Sequence, residues 1–223
     1  MINKLGYFFK KKKLQNYIYS LVDHIDTPNK LLKIGSGEGL KYMYKKKLKN
    51  SVVISCGLGN NSSFDQDLVN NYNCKVIIID PTPGAKIYYK RYLKSKNFKF
   101  IECAIYDKNS TSKFYRPFNQ KKYISHSLKS FDGKAIYSNK FFYVKTKKLS
   151  NICKENKINK NKIEILKLDV EGVALEIIEN IFLEKIYPKQ IHIEIEQLLF
   201  KSLGDEGIST FLKCVNLMTK NNY

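Results

Sequence analysis

Two glycines and an aspartate have the types and the spacing to bind a nucleotide. Gly57 and Gly59 follow a short β-branched run, Val52 to Ile54, and Asp80 ends the next apolar run along the chain. Glycines let the backbone turn tightly beneath a ligand, and an acid about 20 residues later accepts hydrogen bonds from the ribose of an adenosine-containing cofactor. We therefore expect a dinucleotide or adenosyl site here, although an ordinary tight strand-to-helix connection would use the same glycines.

The residues after Gly59 favour a cofactor without a pyrophosphate. Asn60 to Ser63 stand where the dinucleotide fingerprint has a third glycine, and Asn61 or Ser62 is expected to cap the following helix. S-adenosylmethionine fits this turn better, since it offers adenine and ribose to Asp80 and an amino-acid tail to the glycines. The pattern thus predicts a methyltransferase rather than a dehydrogenase.

Three acids lie where later strands are expected to end. A predicted strand, Ile163 to Leu168, is followed by Asp169 and Glu171, and Glu194 lies near the end of another, Gln190 to Ile195. Ligands collect at the carboxyl ends of parallel strands, so these acids are candidate catalytic groups. Asp169 is the first candidate to take a proton from an acceptor hydroxyl, bind a cation or orient the substrate. The same positions also suit carboxylates that stabilise the next helix, or oxygen ligands of Mg²⁺ or Ca²⁺.

Two further features belong near this edge. Ala104 follows the third predicted strand, Phe98 to Cys103, and its backbone is expected to frame an adenine. His126 is a candidate base because histidine titrates near neutral pH, whereas His192, in mid-strand, is expected to be a core residue and His24 a surface one. No histidine or cysteine in the sequence has metal-ligand spacing.

Strands and helices are predicted to alternate along the chain. The order from Val52 to Cys103 is strand, helix, strand, helix, strand, which implies a parallel sheet. The segment Lys108 to Lys134 lacks periodicity and is expected to be a loop that determines the acceptor. The glycine-rich segment Ile34 to Tyr44 is also expected to be a loop, either a flexible entry or a flap over the ligand.

The composition favours one catalytic domain in the cytoplasm. The chain has 223 residues, 43% of them hydrophobic, which suffices for one core without disulfides. Its five cysteines are odd in number and widely spaced, as expected of reduced, buried thiols. The apolar start, Leu5 to Phe9, is too short for a secretory leader, and no spanning segment appears. The aromatic residues and lysines there could touch an anionic membrane surface.

The net charge of +20 does not by itself indicate nucleic-acid binding. Arg91 and Arg116 are the only arginines among 40 basic residues, and the lysines accompany abundant asparagine, isoleucine and tyrosine. This joint bias is typical of an AT-rich genome, whereas arginine is preferred for bidentate contacts with bases and phosphates. The sequence therefore favours a small-molecule or glycan acceptor over nucleic acid, and electrostatic steering would assist an anionic one.

Four motifs in order resemble the FkbM family of S-adenosylmethionine-dependent methyltransferases. They are the glycine turn, DPTP at 80–83, ECAIYDKNSTSKFY at 102–115 and LKLDVEG at 166–172, within a resemblance over roughly 51–196. The resemblance implies an α/β, Rossmann-like class I methyltransferase fold, with a mostly parallel twisted sheet and helices on both faces. It also implies methyl transfer to an oxygen of a sugar or small metabolite. We expect a helical and loop lead-in over residues 1–50 and the methyltransferase domain over 51–223.

The resemblance also implies roles for individual residues. Cofactor contacts would come from Gly57, Gly59, Asp80 and Ala104, and Asp169, Glu171 and Gly172 would lie beside the transfer site. Ser55 is a further expected cofactor contact, and Glu194 is a third candidate acid from its place near a strand end. Ser55 stands where many methyltransferases have an acid, near the amino group of the cofactor's methionine. The sequence ends where the fold would begin its last strands, so we expect those strands to be missing. An RNA methyltransferase and a non-catalytic adenosine-binding module are the alternatives.

Overall fold

Strands and helices alternate along most of the chain in the computed structural model. The residues that it describes are 31–44, 48–118, 125–131, 137–195 and 204–223. Their strands are β1 (Leu31–Ile34), β2 (Lys41–Tyr44), β3 (Val52–Cys56), β4 (Lys75–Ile79), β5 (Phe98–Ile101), β6 (Ala104–Ile105), β7 (Ser110–Pro117), β8 (Tyr137–Lys147), β9 (Ile163–Leu168) and β10 (Gln190–Ile193). Their helices are α1 (Ser63–Tyr72), α2 (Pro83–Tyr92), α3 (Leu149–Glu155), α4 (Ala174–Leu183) and α5 (Gly204–Lys220).

A parallel five-stranded sheet lies at the centre, in the order β10-β9-β3-β4-β5. The alternation from β3 through α1, β4 and α2 to β5 is the predicted one, and the α/β class is confirmed. Every residue of β9 is buried, Glu164 and Lys167 included, because a parallel sheet is covered on both faces and its strands are mostly apolar runs. Such runs are what the sequence pattern reveals most clearly.

Alternate residues of the central strands supply two separate cores. Ile54 and Ile77 pack in a cluster with residues of α3 and α4, whereas Val53 and Val76 pack in a second cluster with residues of α1 and α2. Because successive side chains of a strand point to opposite faces, the two clusters lie on opposite sides of the sheet. Helices therefore cover both faces, as the sequence predicts.

The glycine-rich segment 34–44 is mostly a β-hairpin, so the prediction of a loop is wrong. β1 pairs antiparallel with β2, and a 3₁₀ turn, Gly37–Gly39, connects them. Gly35 has φ +83, and a Cβ there would lie 2.5 Å from the carbonyl oxygen of Gly39. Ile34 and Met43 pack in the same core as α1. Strands of four residues are too short to show an alternating pattern, so only their packing against α1 reveals them.

Part of the predicted loop 108–134 is strand β7, which is a second correction. β7 pairs antiparallel with β8, and β6 pairs parallel with the other edge of β8, which gives a three-stranded sheet in the order β6-β8-β7. Within β7 only Phe114 and Pro117 are buried, and the other positions are mostly polar or basic. The hydrophobic pattern is therefore too sparse to predict a strand. Residues 119–124 and 132–134 of this segment lie outside the described residues.

The sequence also makes predictions about the cysteines and about contact with a membrane. All five cysteines are buried and unpaired, as predicted, and burial raises the pKa of Cys103 to about 11. No helix within the described ranges is long and apolar enough to cross a membrane. The aromatic and lysine-rich start, together with His24, lies outside the described residues.

Candidate functional site

A large cavity opens at the carboxyl ends of the central strands. Its volume is about 1660 Å³. The predicted site residues that line it are Gly57, Gly59, Asp80, Ala104, Asp169, Glu171 and Glu194. Ser55, the remaining predicted contact, is fully buried in β3 and is not among the lining residues. The structure thus brings together residues that are far apart in sequence, because parallel strands end at one edge of a sheet.

The glycine turn has the tight geometry that its sequence predicts. Gly57 has φ +82, and a Cβ there would lie 2.0 Å from the carbonyl oxygen of Asp169, so no side chain fits. Gly59 has φ +56 and open space around its Cβ position. Asn61 caps α1, since its Oδ1 accepts a hydrogen bond from the Ser63 amide at 3.0 Å, whereas Ser62 makes no side-chain cap.

Asp80 ties the glycine turn to the start of α2. One carboxylate oxygen accepts a hydrogen bond from the Leu58 amide at 2.9 Å. The other accepts from the Thr82 amide at 2.8 Å and from the Thr82 hydroxyl at 2.6 Å. Asp80 is only 5% exposed, so its first role is to hold this turn. Oδ1 accepts two hydrogen bonds, whereas Oδ2 accepts one and has a further lone pair, so the ribose contact stays a prediction.

Lys167 is a site residue that the sequence reasoning missed. It lies in the fully buried strand β9, and its ammonium donates a hydrogen bond to the Gly57 carbonyl oxygen at 2.6 Å. The same ammonium lies 3.4 Å from Asp169 Oδ2. Lysine is almost never buried unless it is paired, so a lysine inside an apolar strand was the available signal. Lys167 fixes the glycine turn and the Asp169 carboxylate together.

Asp169 and Glu171 do not stabilise the next helix as caps. Helix α4 begins at Ala174, and its N-cap residue, Val173, makes no side-chain cap. Asp169 and Glu171 instead belong to the turn between β9 and α4, and both line the cavity.

Glu171 is held in an unusual conformation with an altered pKa. Its φ is +51, in the left-handed region that residues other than glycine seldom adopt. Its Oε2 accepts a hydrogen bond from the Tyr137 hydroxyl at 3.2 Å, and its carbonyl oxygen accepts one from Ser127. Burial raises the pKa of Glu171 to about 7, while hydrogen bonds from Ser125 and Tyr137 act in the opposite direction. This carboxyl can therefore take or give a proton near neutral pH.

Glu194 and His192, in and just after β10, line the same cavity. The Glu194 amide donates to the Leu168 carbonyl oxygen at 2.9 Å, which places it beside the end of β9, and burial raises its pKa. His192 lines the cavity, with its ring centroid 6.0 Å from that of Phe64. The prediction of a core histidine is wrong in part, because β10 is an edge strand of the described sheet and leaves this side chain half-buried. Burial lowers the pKa of His192 to about 4, so the ring is neutral.

Asp65 is a second residue that the sequence reasoning missed. It lies in the first turn of α1, is 1% exposed and lines the cavity. Its Oδ1 and the hydroxyl of Ser55 have no partner with full hydrogen-bond geometry among the described residues. Burial raises the pKa of Asp65, and Lys167 and the Ser55 hydroxyl oppose that shift. An acid in a first helical turn is common for purely structural reasons, which is why its sequence position carried no signal.

Aromatic side chains and an arginine also line the cavity. His126 stacks on Phe114 with ring centroids 5.7 Å apart, and both line the cavity. Arg116 and Phe118, at the end of β7, line it as well, and Phe118 is 69% exposed. The described ranges contain no group of three or more histidine, cysteine or acidic residues that could hold a metal ion, so Asp169, Glu171 and Glu194 are not arranged as one. Glu196, two residues after Glu194 in the sequence, lies outside the described residues.

Comparison with known proteins identifies the family. Residues 28–223 match the model of the methyltransferase FkbM domain. No curated protein and no solved structure matches the chain. The matched range includes the hairpin β1-β2, the glycine turn and the turn that carries Asp169 and Glu171. Since the match covers most of the chain, this protein belongs to the FkbM methyltransferase family.

Proposed function

We propose that this protein transfers a methyl group from S-adenosylmethionine to a hydroxyl oxygen of a sugar, glycan or other small metabolite. Family membership supports methyl transfer. The observation that carries the cofactor is the acid-lined cavity against the glycine turn of Gly57 and Gly59. Five buried, unpaired cysteines fit a reducing compartment such as the cytoplasm.

The order of the central strands supports a Rossmann-like class I fold. All five strands are parallel, but their order in the sheet changes direction. From β3 the chain adds β4 and then β5 on one side, and it later adds β9 and then β10 on the other side. The order therefore reverses between β3 and β9. Ligands of doubly wound sheets bind at this reversal, outside the carboxyl ends of the strands. Gly57 and Asp169 meet there, at the cavity.

The charges of the cavity suit a cationic cofactor. Six carboxyl groups line it, from Glu38, Asp65, Asp80, Asp169, Glu171 and Glu194. Three basic side chains line it, from Lys41, Arg116 and Lys167. This excess of acids is the opposite of the chain's net charge of +20. S-adenosylmethionine carries a sulfonium and an ammonium, and an unpartnered buried oxygen of Asp65 is available to such a cation.

The residues divide into a cofactor half and an acceptor half. Gly57 and Gly59 would lie against the amino-acid tail, and Asp80 and Ala104 against the ribose and the adenine. When bound, the cofactor supplies an electrophilic methyl group on sulfur. The cavity is larger than the roughly 300 to 1,000 Å³ of a typical single-ligand site, so it has room for an acceptor beside the cofactor.

Glu171 is the proposed base. Its carboxylate would accept the proton of the acceptor hydroxyl as that oxygen receives the methyl group, with S-adenosylhomocysteine as the leaving group. Tyr137 orients this carboxylate through its hydroxyl hydrogen bond, and Asp169 positions the acceptor beside it. Much of the rate gain of such a transfer comes from alignment, and the base adds roughly 10²- to 10⁴-fold.

The test is methyl transfer from isotope-labelled S-adenosylmethionine to separate panels of glycans, small hydroxylated metabolites and RNA. We expect label in a glycan or small-molecule fraction. Label in RNA with steep salt dependence would favour the nucleic-acid alternative instead. Cofactor binding with no label in any panel would favour the non-catalytic module.

A further inference from the structure

We propose that Asp65 binds the ammonium group of the cofactor's amino-acid tail and takes the place of the acid that is missing at Ser55. This inference rests on the proposed function, because it assigns a residue to one group of the proposed cofactor. The ligand chemistry is a primary ammonium next to the glycine turn. Asp65 lies on α1 and not on the strand before the turn, so the acid comes from a different element.

The position of Asp65 fits this role. Ser55 precedes Gly57 by two residues in β3, is 0% exposed and offers only a hydroxyl. Asp65 approaches the same region from the first turn of α1, where it is influenced by the Ser55 hydroxyl and by the Lys167 ammonium. It lines the cavity together with Gly57 and Gly59, against which the amino-acid tail is expected to lie.

The unpartnered oxygen of Asp65 points to a ligand. Its Oδ1 is buried without a hydrogen bond of full geometry among the described residues, and the Ser55 hydroxyl, whose interaction with the carboxyl lowers its pKa, does not complete one. Buried polar atoms are nearly always hydrogen-bonded, because an unpaired one has lost its contacts with water and gained none in return, so this oxygen requires an explanation. An ammonium has three N–H donors and can satisfy it.

The local charges also leave room for one more cation. Lys167 donates to the Gly57 carbonyl oxygen and lies beside Asp169, so its single charge is shared by two acids, Asp65 and Asp169. A ligand ammonium would balance the second carboxylate. Asp67, in the same helix, differs because its Oδ2 accepts a hydrogen bond from the Gly35 amide at 2.8 Å. One acid of α1 is thus bonded within the protein, and the other faces the cavity.

The test compares two ligands on the Asp65→Asn variant by calorimetry. S-adenosylhomocysteine carries the amino-acid tail, whereas 5′-methylthioadenosine keeps the adenosine and sulfur without it. We expect Asp65→Asn to weaken S-adenosylhomocysteine about 10- to 100-fold, as for a lost charge-assisted hydrogen bond, and to change 5′-methylthioadenosine by less than about twofold. Glu179→Gln, which removes a carboxylate from an exposed position of α4 outside the cavity, is the matched control and should leave the ratio of the two affinities unchanged.

A double variant that moves the carboxylate distinguishes loss of the ammonium contact from a folding defect. In Ser55→Asp with Asp65→Ser, the carboxylate moves to the strand position, and we expect S-adenosylhomocysteine to regain most of its affinity. Equal effects of Asp65→Asn on both ligands, or no effect on either, would overturn the inference. Should wild-type protein bind neither ligand, the proposed function itself would fail. If Asp65→Asn does not fold, Asp65→Ser provides the same comparison.

Discussion

Glu171 combines a left-handed backbone, φ +51, with a half-buried carboxyl group beside Asp169. Strained backbone of this kind typically costs about 1 to 3 kcal/mol and persists where the surroundings fix it. Here Ser127 holds its carbonyl oxygen and Tyr137 its carboxylate. The conformation thus directs an acid into the cavity, and a pKa raised to about 7 leaves that acid able to exchange protons at neutral pH.

The activity should therefore rise with pH through the pKa of Glu171. The active form is the carboxylate, so kcat/KM is expected to fall tenfold per pH unit below about 7 and to level off above it. Glu171→Gln should remove this dependence and lower kcat by roughly 10²- to 10⁴-fold. The measurement is a pH–rate profile of both proteins.

Glu179→Gln, on an exposed position of α4, is the control for this profile and should behave as wild type. A Glu171→Gln variant that keeps the same pH limb would show that another group is the base. A profile of wild-type protein that is flat between pH 6 and 8 would contradict the assignment equally.

A site residue can be predicted from the sequence when its neighbours in the sequence identify its role. Gly57, Gly59, Asp80 and Asp169 were predictable because the type and spacing of neighbouring residues specify a turn and a strand end. Asp65 and Lys167 were not, because their roles depend on which turn of α1 lies over which position of β3 and β9. That packing is part of the tertiary structure, and the sequence pattern does not predict it.

At the scale of elements, the hairpin β1-β2 is fastened to α1 by polar contacts. Asp67 accepts from the Gly35 amide at 2.8 Å, and Ser63 Oγ accepts from the Ser36 amide at 2.9 Å. Glu38 and Lys41 of the hairpin segment line the cavity. Buried parallel strands were predictable from their apolar runs. The hairpin was not, because it is recognised only from its packing against α1.

Loss of the Asp67 contact should loosen the hairpin without unfolding the central sheet. For Asp67→Asn we expect faster hydrogen exchange in residues 35–44 and unchanged exchange in β3 and β9, since only the former depend on that carboxylate. Hydrogen-exchange mass spectrometry measures this, with Asn70→Ala on the exposed side of α1 as control. Faster exchange throughout the sheet would mean that the hairpin and the sheet open as one unit.

At the scale of the whole molecule, the surface and the cavity have opposite charge character. The chain carries +20, yet acids outnumber basic residues around the cavity. A positive exterior steers anionic acceptors toward the protein, whereas the acidic interior favours a cationic cofactor. The parallel arrangement was predictable from the strand–helix alternation. The acceptor was not, because the segment expected to determine it, residues 108–134, contributes a strand whose pairing with β8 joins residues distant in sequence.

The most direct measurement of the central claim is calorimetric titration of the purified protein with S-adenosylmethionine, S-adenosylhomocysteine and NAD. Both adenosyl ligands should bind with one site per chain and at least about tenfold more tightly than NAD. Binding of NAD alone, or no binding of either adenosyl ligand, would contradict the account.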